Sequence, residues 1–158
     1  MRPASTTLVA IVLLAAWLGA TLCVTLLVAP AAFTVLPTRT LAGALVGRVL
    51  PALFAFGIVL GLGVAVLGWT SGADRAWRIG PAVAAAAACA IAQLVIAGRI
   101  GAIRAAVGGP IDALAMTDPR RVAFGRLHGM SVACLGLAML CVLVTLAAYL
   151  RLATRSPA

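Results

Sequence analysis

The chain has 158 residues, of which 65% are hydrophobic and only 9% are charged. Soluble domains carry roughly 25% charged residues, so this composition excludes an ordinary soluble domain and indicates a membrane protein. The net charge of +9 comes from 12 arginines against three aspartates. Most of these arginines lie near the ends of apolar stretches, which favours pairing with membrane phosphates and not with nucleic acid.

Four stretches without a charged residue determine the predicted fold. They cover residues 3–38, 49–73, 79–98 and 127–150. A helix needs about 20 mostly apolar residues to cross the hydrocarbon core of a bilayer, so each stretch can cross it once. The sequence therefore predicts an all-α fold, an integral membrane four-helix transmembrane bundle with up-down-up-down topology, as a single domain over residues 1–158. We expect a multi-pass protein of a bacterial inner membrane.

The first predicted helix covers residues 6–29. Pro30 either kinks or ends this helix, and residues 30–37 are predicted as a turn. The segment resembles a secretory signal, but its apolar core of about 22 residues is longer than the 7–15 of a signal peptide. We therefore expect it to be retained, with cleavage as the alternative.

Three further helices follow. The second is predicted over residues 41–69 with Pro51 inside it, and the polar residues 71–74 then form a turn. The third covers residues 77–103. Gly108 and Gly109 are expected to turn the chain, and Asp118 before Pro119 is a favourable helix start, so the fourth helix is predicted from there to residue 149.

Glycines recur at a spacing of four residues, as Gly43 with Gly47, Gly57 with Gly61, and Gly125 with Gly129. In membranes such pairs let helix backbones approach each other closely. We expect them to pack helices within the bundle, or in one case to form the face of a dimer.

Four crossings place the two termini and residues 71–74 on one membrane side, here called the terminal side. The loops at 30–38 and 104–119 lie on the other, here called the loop side. Seven arginines lie toward the loop side and five toward the terminal side, so the positive-inside rule predicts that the loop side is cytoplasmic. Terminal-side arginines, Trp69, Trp77 and Tyr149 are interpreted as headgroup anchors.

Polar residues concentrate near the loop side. An ionisable group below the headgroups is costly and is a functional-site candidate. The candidate polar site comprises Arg48, Arg99, Asp118, Arg126, His128 and Ser131. We expect Arg48, Arg126 and His128 to face one another inside the bundle, with Asp118 as counter-charge and Ser131 one turn below His128. The alternative is that the arginines extend to lipid phosphates and Asp118 caps a helix.

A metal site and an enzyme are both considered and neither is expected. Soft ligands favour Cu(I), and His128, Met130, Cys134 and Cys141 share one helix. However, no CxxC or HxxxH spacing occurs, so core packing is the preferred interpretation of these side chains. The sequence contains no glutamate and no recognisable nucleophile–base pair. We expect no catalytic residue, no metal and no cofactor.

Several motifs resemble the transmembrane protein 205 family, whose bacterial members are of uncharacterised function. In the first half they are Ala16-Trp17-Leu18-Gly19, Pro30-x-x-Phe33, Leu36-Pro37-x-Arg39 and Gly47-Arg48-Val49-Leu50-Pro51. In the second half they are Arg99 and Phe124-x-x-Leu127-His128-Gly129-x-Ser131. The resemblance implies four transmembrane helices with the first one retained, and it implies no established activity.

Two functions follow as expectations. The first is a protein that binds or passes a small anion, a lipid headgroup or a metal complex at the Arg/His cluster. The second is a structural or assembly subunit of a larger membrane complex. The expected partners are membrane lipids, with a homo-oligomer or a larger membrane complex as the assembly, and no nucleic acid.

Overall fold

The structure, a computed structural model, describes residues 3–69 and 75–155. In these ranges the chain forms four long helices, and all four are long and apolar enough to cross a membrane. Helix α1 consists of Pro3–Cys23, a π-helical segment Val24–Val28 and Ala29–Val35. Helix α2 is Arg39–Gly68. Helix α3 consists of Arg75–Ala90, a π-helical segment Ile91–Ile96 and Ala97–Val107. A short 3-10 turn, Ile111–Ala113, precedes helix α4, which is Pro119–Arg155.

Each helix packs against the next one in the chain, and α4 packs back against α1. The four helices therefore form a closed bundle in which sequence neighbours run antiparallel. This arrangement confirms the predicted four-helix bundle with up-down-up-down topology.

Helix α1 extends further than predicted. Residues 30–35 are helical, so the prediction of a turn there is wrong, and the chain leaves the helix at residues 36–38. Pro30 lies at the second position of Ala29–Val35, directly after the π-helical turn. A π-helical turn changes the hydrogen-bonding pattern of the backbone. Proline has no backbone N–H, and near the start of a helical segment that missing donor costs no hydrogen bond. The helix can therefore pass through Pro30.

Local caps set the boundaries of α2 and α3. Thr38 is extended, and its Oγ1 accepts a hydrogen bond from the backbone N–H of Leu41 at 3.2 Å, so α2 begins two residues before the predicted start. Pro51 lies inside α2, as predicted. Gly108 has a φ of 64°, and its N–H donates to the Arg104 carbonyl at 3.1 Å. This left-handed glycine cap ends α3 at Val107, four residues beyond the predicted end.

Asp118 determines where α4 begins. Its Oδ1 accepts a hydrogen bond from the backbone N–H of Arg120 at 2.8 Å. The Arg120 guanidinium also donates to both carboxylate oxygens, at 2.9 and 3.2 Å. The predicted helix start at Asp118-Pro119 is thus confirmed, and α4 continues six residues beyond the predicted end. The predicted turn at residues 71–74 lies outside the described residues.

Two aromatic side chains connect helices through the core. Trp17 of α1 is fully buried, and its Nε1 donates to the Leu53 carbonyl of α2 at 2.9 Å. Tyr149 of α4 is also buried and donates its hydroxyl proton to the Val64 carbonyl of α2 at 3.1 Å. Water is absent from the hydrocarbon core, so these polar groups need partners inside the protein.

Helices α2 and α3 approach each other closely at a glycine pair. A Cβ atom on Gly61 would lie 2.6 Å from the Ala82 carbonyl oxygen, and one on Gly57 would lie 2.7 Å from Cys89 Sγ. These glycines therefore pack two helices together, as predicted. A Cβ atom on Gly125 or Gly129 would meet nothing within 4 Å, so that pair is not used inside the bundle.

Replacing Gly61 should destabilise the bundle. In Gly61→Ala the added methyl would collide with the α3 backbone, and overpacking of this kind costs about 1–3 kcal/mol. Gly63→Ala is the matched control, because a Cβ atom on Gly63 meets nothing within 4 Å. Titration with a denaturing detergent should show the loss only for Gly61→Ala. Equal stability of the two variants would contradict the close contact.

The cap of α4 should make stability depend on pH. Hydrogen bonds from the Arg120 side chain and backbone hold the pKa of Asp118 below its usual range. Because the folded state favours the carboxylate, Asp118 contributes to the free energy of unfolding. This contribution is fully present above the unfolded pKa of about 3.9 and is lost as the pH falls through the lower folded pKa.

Asp118→Asn keeps a good capping side chain but removes the charge. Thermal unfolding in detergent should show that wild type is more stable than Asp118→Asn at pH 7. The difference should disappear at a pH below the folded pKa of Asp118. A difference that is constant with pH would contradict this role of Asp118.

Candidate functional site

Four polar residues lie at similar distances along their helices from the loop-side ends. Arg48 of α2, Arg99 of α3, and Arg126 and His128 of α4 are each about 10–14 Å from the loop-side end of their helix, at a rise of 1.5 Å per residue. All four are exposed on the surface of the bundle. We call this set the arginine level.

The residues of the predicted polar site are not joined to one another. Arg48, Arg126 and His128 are exposed, so the expectation that they face one another inside the bundle is not met. Within the described part of the chain, the one salt bridge is between Asp118 and Arg120, so Asp118 does not act as counter-charge to the arginine level. Ser131 is half-buried. A functional role for these residues stays a prediction.

Arg104 connects three helices at the loop side and was not included in the predicted site. It belongs to α3, and its guanidinium lies against α2, with Nη1 3.6 Å from where a Cβ atom of Gly47 would be. Its Cζ also lies 5.4 Å from the ring centroid of Phe124 on α4. Gly43 borders the same guanidinium, with Nη2 3.9 Å from where its Cβ would be. Gly43 and Gly47 thus leave space for the Arg104 guanidinium.

Phe124 extends this contact to the arginine level. Its ring is stacked on His128, with centroids 6.3 Å apart and planes inclined by 4°. The spacing of Phe124 and His128 by four residues, one helical turn, was the sequence signal for this contact. Their proximity to Arg104 depends on how α3 and α4 pack, which local spacing does not specify.

An open depression of about 500 Å³ lies at the start of α2, on the loop side. Its lining residues come from α2, from the connection before α4 and from α4, and are Thr38, Arg39, Thr40, Pro110, Asp112, Ala113 and Arg121. Two hydrogen bonds from Arg121 Nη1, to the carbonyls of Leu114 and Asp112, connect α4 to the loop. Thr40 Oγ1 donates to Asp112 Oδ2 at 3.3 Å.

At the terminal side, the interpretation of Arg78 and Tyr149 as headgroup anchors is wrong. Arg78 is 1% exposed and Tyr149 is 3% exposed, and the Arg78 guanidinium carbon lies 5.7 Å from the Tyr149 ring centroid. Gly68 makes room for both side chains. Trp69 and Trp77 are each 65% exposed, as headgroup anchors should be. Arg78 precedes an apolar run, a position that in sequence resembles an ordinary anchor.

The sulfur-containing side chains of α4 lie in different surroundings. Cys134 and Cys141 pack against the hydrophobic core, whereas Met130 is exposed. Among the residues that the structure describes, no group of three His, Cys, Asp or Glu side chains is close enough to hold a metal ion.

Comparison with known proteins gives one family. Residues 12–108 match the family model described as Domain of unknown function (DUF4149). The match covers most of α1 and all of α2 and α3, and it ends before Asp118 and α4. No curated protein and no solved structure matches the chain. Because the matched region is more than half of its length, the chain belongs to the DUF4149 family.

Proposed function

We propose that this membrane protein binds phosphate groups of anionic lipids at the arginine level. The observation that supports the proposal is that Arg48, Arg99 and Arg126, from three different helices, are exposed at similar distances from the loop-side ends of those helices. None of the three lies within salt-bridge distance of a carboxylate in the described ranges. A small free anion would bring the same negative charge to these arginines without the lipid tails.

The length of the apolar segment supports this assignment. Residues 79–98, between Arg78 and Arg99, would span about 30 Å as a helix, which is the thickness of the hydrocarbon core. Arg99 then lies at the boundary between hydrocarbon and headgroups, where lipid phosphates are found. A guanidinium can bind a phosphate through two parallel hydrogen bonds and is favoured for this purpose over an ammonium group.

Arg104 adds a further positive charge to this surface, and His128 adds a polar group. The glycines of α2 and the ring of Phe124 restrict the Arg104 guanidinium, so less rotamer entropy would be lost when it binds an anion. His128, which is stacked on the same phenyl ring, adds a second hydrogen-bond donor. These contacts distinguish the loop side from a set of freely moving surface arginines.

An assembly role is the second candidate. The Gly125–Gly129 pair of α4 is open to the outside, and such pairs let another helix approach closely. A further copy of this chain or a partner subunit could pack there. The resemblance to the transmembrane protein 205 family is compatible with both candidates, because it implies no established activity.

Neutralising the arginine level should weaken binding of anionic lipid. In the triple variant Arg48→Gln, Arg99→Gln and Arg126→Gln, each lost charge near the membrane surface removes about 1 kcal/mol, so affinity should fall about 100-fold. The control is Arg75→Gln with Arg151→Gln, which removes two exposed arginines of the terminal side and should keep the binding at the arginine level. Native mass spectrometry with added phosphatidylglycerol would compare the two variants.

Equal retention of phosphatidylglycerol by the triple variant and wild type would refute the lipid-binding proposal. A separate variant, Gly129→Leu, tests the assembly candidate, because it should abolish any stable oligomer or co-purifying complex in mild detergent. Loss of the complex without loss of lipid would favour the assembly role.

A further inference from the structure

The loop-side depression contains opposite charges that are not paired with each other. Arg39, Arg121 and Asp112 all line it. Within the described residues, neither arginine lies within 4.0 Å of the Asp112 carboxylate, since the one salt bridge is that of Asp118 with Arg120. Cations and a carboxylate that share one cavity without contact can each bind a different part of a ligand.

Two of these charged groups are held in position by neighbouring atoms. Arg121 Nη1 donates to the Leu114 carbonyl at 2.6 Å and to the Asp112 carbonyl at 3.2 Å. These bonds use one nitrogen, so the N–H groups on Nε and Nη2 stay available for a ligand. Thr40 Oγ1 donates to Asp112 Oδ2 and so restricts the carboxylate, which has further lone pairs for another donor.

We propose that the depression binds a phosphate group that carries a primary amine. The phosphate lies against Arg39 and Arg121, and the ammonium group donates hydrogen bonds to the Asp112 carboxylate. A simple anion would pair with the arginines but leave the carboxylate close to a like charge. A simple cation would pair with the Asp112 carboxylate but would lie close to the two arginines, which carry the same charge. A ligand with both charges satisfies all three groups.

The size of the depression is compatible with this ligand. Small-molecule sites enclose about 300–1,000 Å³, and this depression has about 500 Å³. The residues differ from those of the arginine level. They also lie further from the hydrocarbon, because Arg39 precedes Arg48 by nine residues, or about 14 Å along α2. The proposal therefore does not depend on the proposed lipid binding at the arginine level.

The same chemistry occurs in two sources, which are an aminophospholipid headgroup at the membrane surface and a free amino-alkyl phosphate in water. Asp112 should accept N–H groups from a primary amine but not from a trimethylated one, which has no N–H. Phosphatidylethanolamine and phosphatidylcholine therefore form a matched pair of lipid probes. Free O-phosphoethanolamine is the soluble probe.

The test uses the full chain in nanodiscs of defined lipid composition. Native mass spectrometry would measure bound phosphatidylethanolamine against phosphatidylcholine, and calorimetry would measure O-phosphoethanolamine. Wild type should prefer the primary amine about tenfold or more, as expected for one charge-assisted hydrogen bond. Asp112→Asn should reduce that preference, because the amide oxygen still accepts an N–H group but carries no charge. Asp118→Asn is the control, because it removes a nearby carboxylate that does not line the depression and keeps a capping side chain.

Arg39→Gln provides a second, independent variant, since the exposed Arg39 side chain is outside the hydrogen bonds that fix the loop. It should weaken phosphatidylethanolamine and O-phosphoethanolamine alike. Binding of the soluble probe alone identifies a free metabolite as the ligand, and binding of the lipid alone identifies the headgroup. The triple variant of the arginine level should keep the amine preference. No preference in wild type, or an unchanged preference in Asp112→Asn, would overturn the proposal.

Discussion

Close approach of the α2 and α3 backbones at Gly57 and Gly61 is the constraint on which the loop side depends. Without side chains at these positions, α3 can lie against α2 with Ala82 and Cys89 in van der Waals contact. Gly43 and Gly47 come about four helical turns before Gly57 and Gly61, so they lie on a similar side of α2. The far end of α3 therefore runs beside them, and there Arg104 fills the space that they leave.

The hydrocarbon environment explains how the few buried polar groups are arranged. The hydroxyls of Thr21 and Thr145 are fully buried, and each donates to the carbonyl four residues earlier in its own helix, at 2.8 and 2.9 Å. Bonds of this kind satisfy a hydroxyl without a partner helix. Trp17 and Tyr149 use their polar atoms to bond across helices. These two bonds both reach α2, which makes that helix the centre of the polar contacts.

The membrane spans and the helix caps could be predicted because they depend on local sequence. The charge-free lengths gave the number of crossings, and Asp118-Pro119 and Gly108 gave two boundaries. The faces of the helices could not be predicted in the same way. A helix that is hydrophobic all round has no apolar stripe that identifies its buried side. For this reason the sequence left open whether Arg48 and Arg126 face the bundle interior or the lipid, and it did not indicate the burial of Arg78.

The π-helical segments could not be predicted either, because residues 24–28 and 91–96 have no composition that distinguishes them from α-helix. The segment Ile91–Ile96 nevertheless has a consequence for how this protein can evolve. One residue corresponds to about 100° around an α-helix, and a π turn accommodates one additional residue. A single deletion within Ile91–Ile96 could restore regular α-helix without breaking α3. Because the wide turn contains the additional residue, Arg99 and Arg104 would keep their orientation relative to the neighbouring helices after such a deletion. One apolar residue in the middle of the membrane can thus be lost without redirecting the two cations at its surface, which a deletion elsewhere in α3 would not allow.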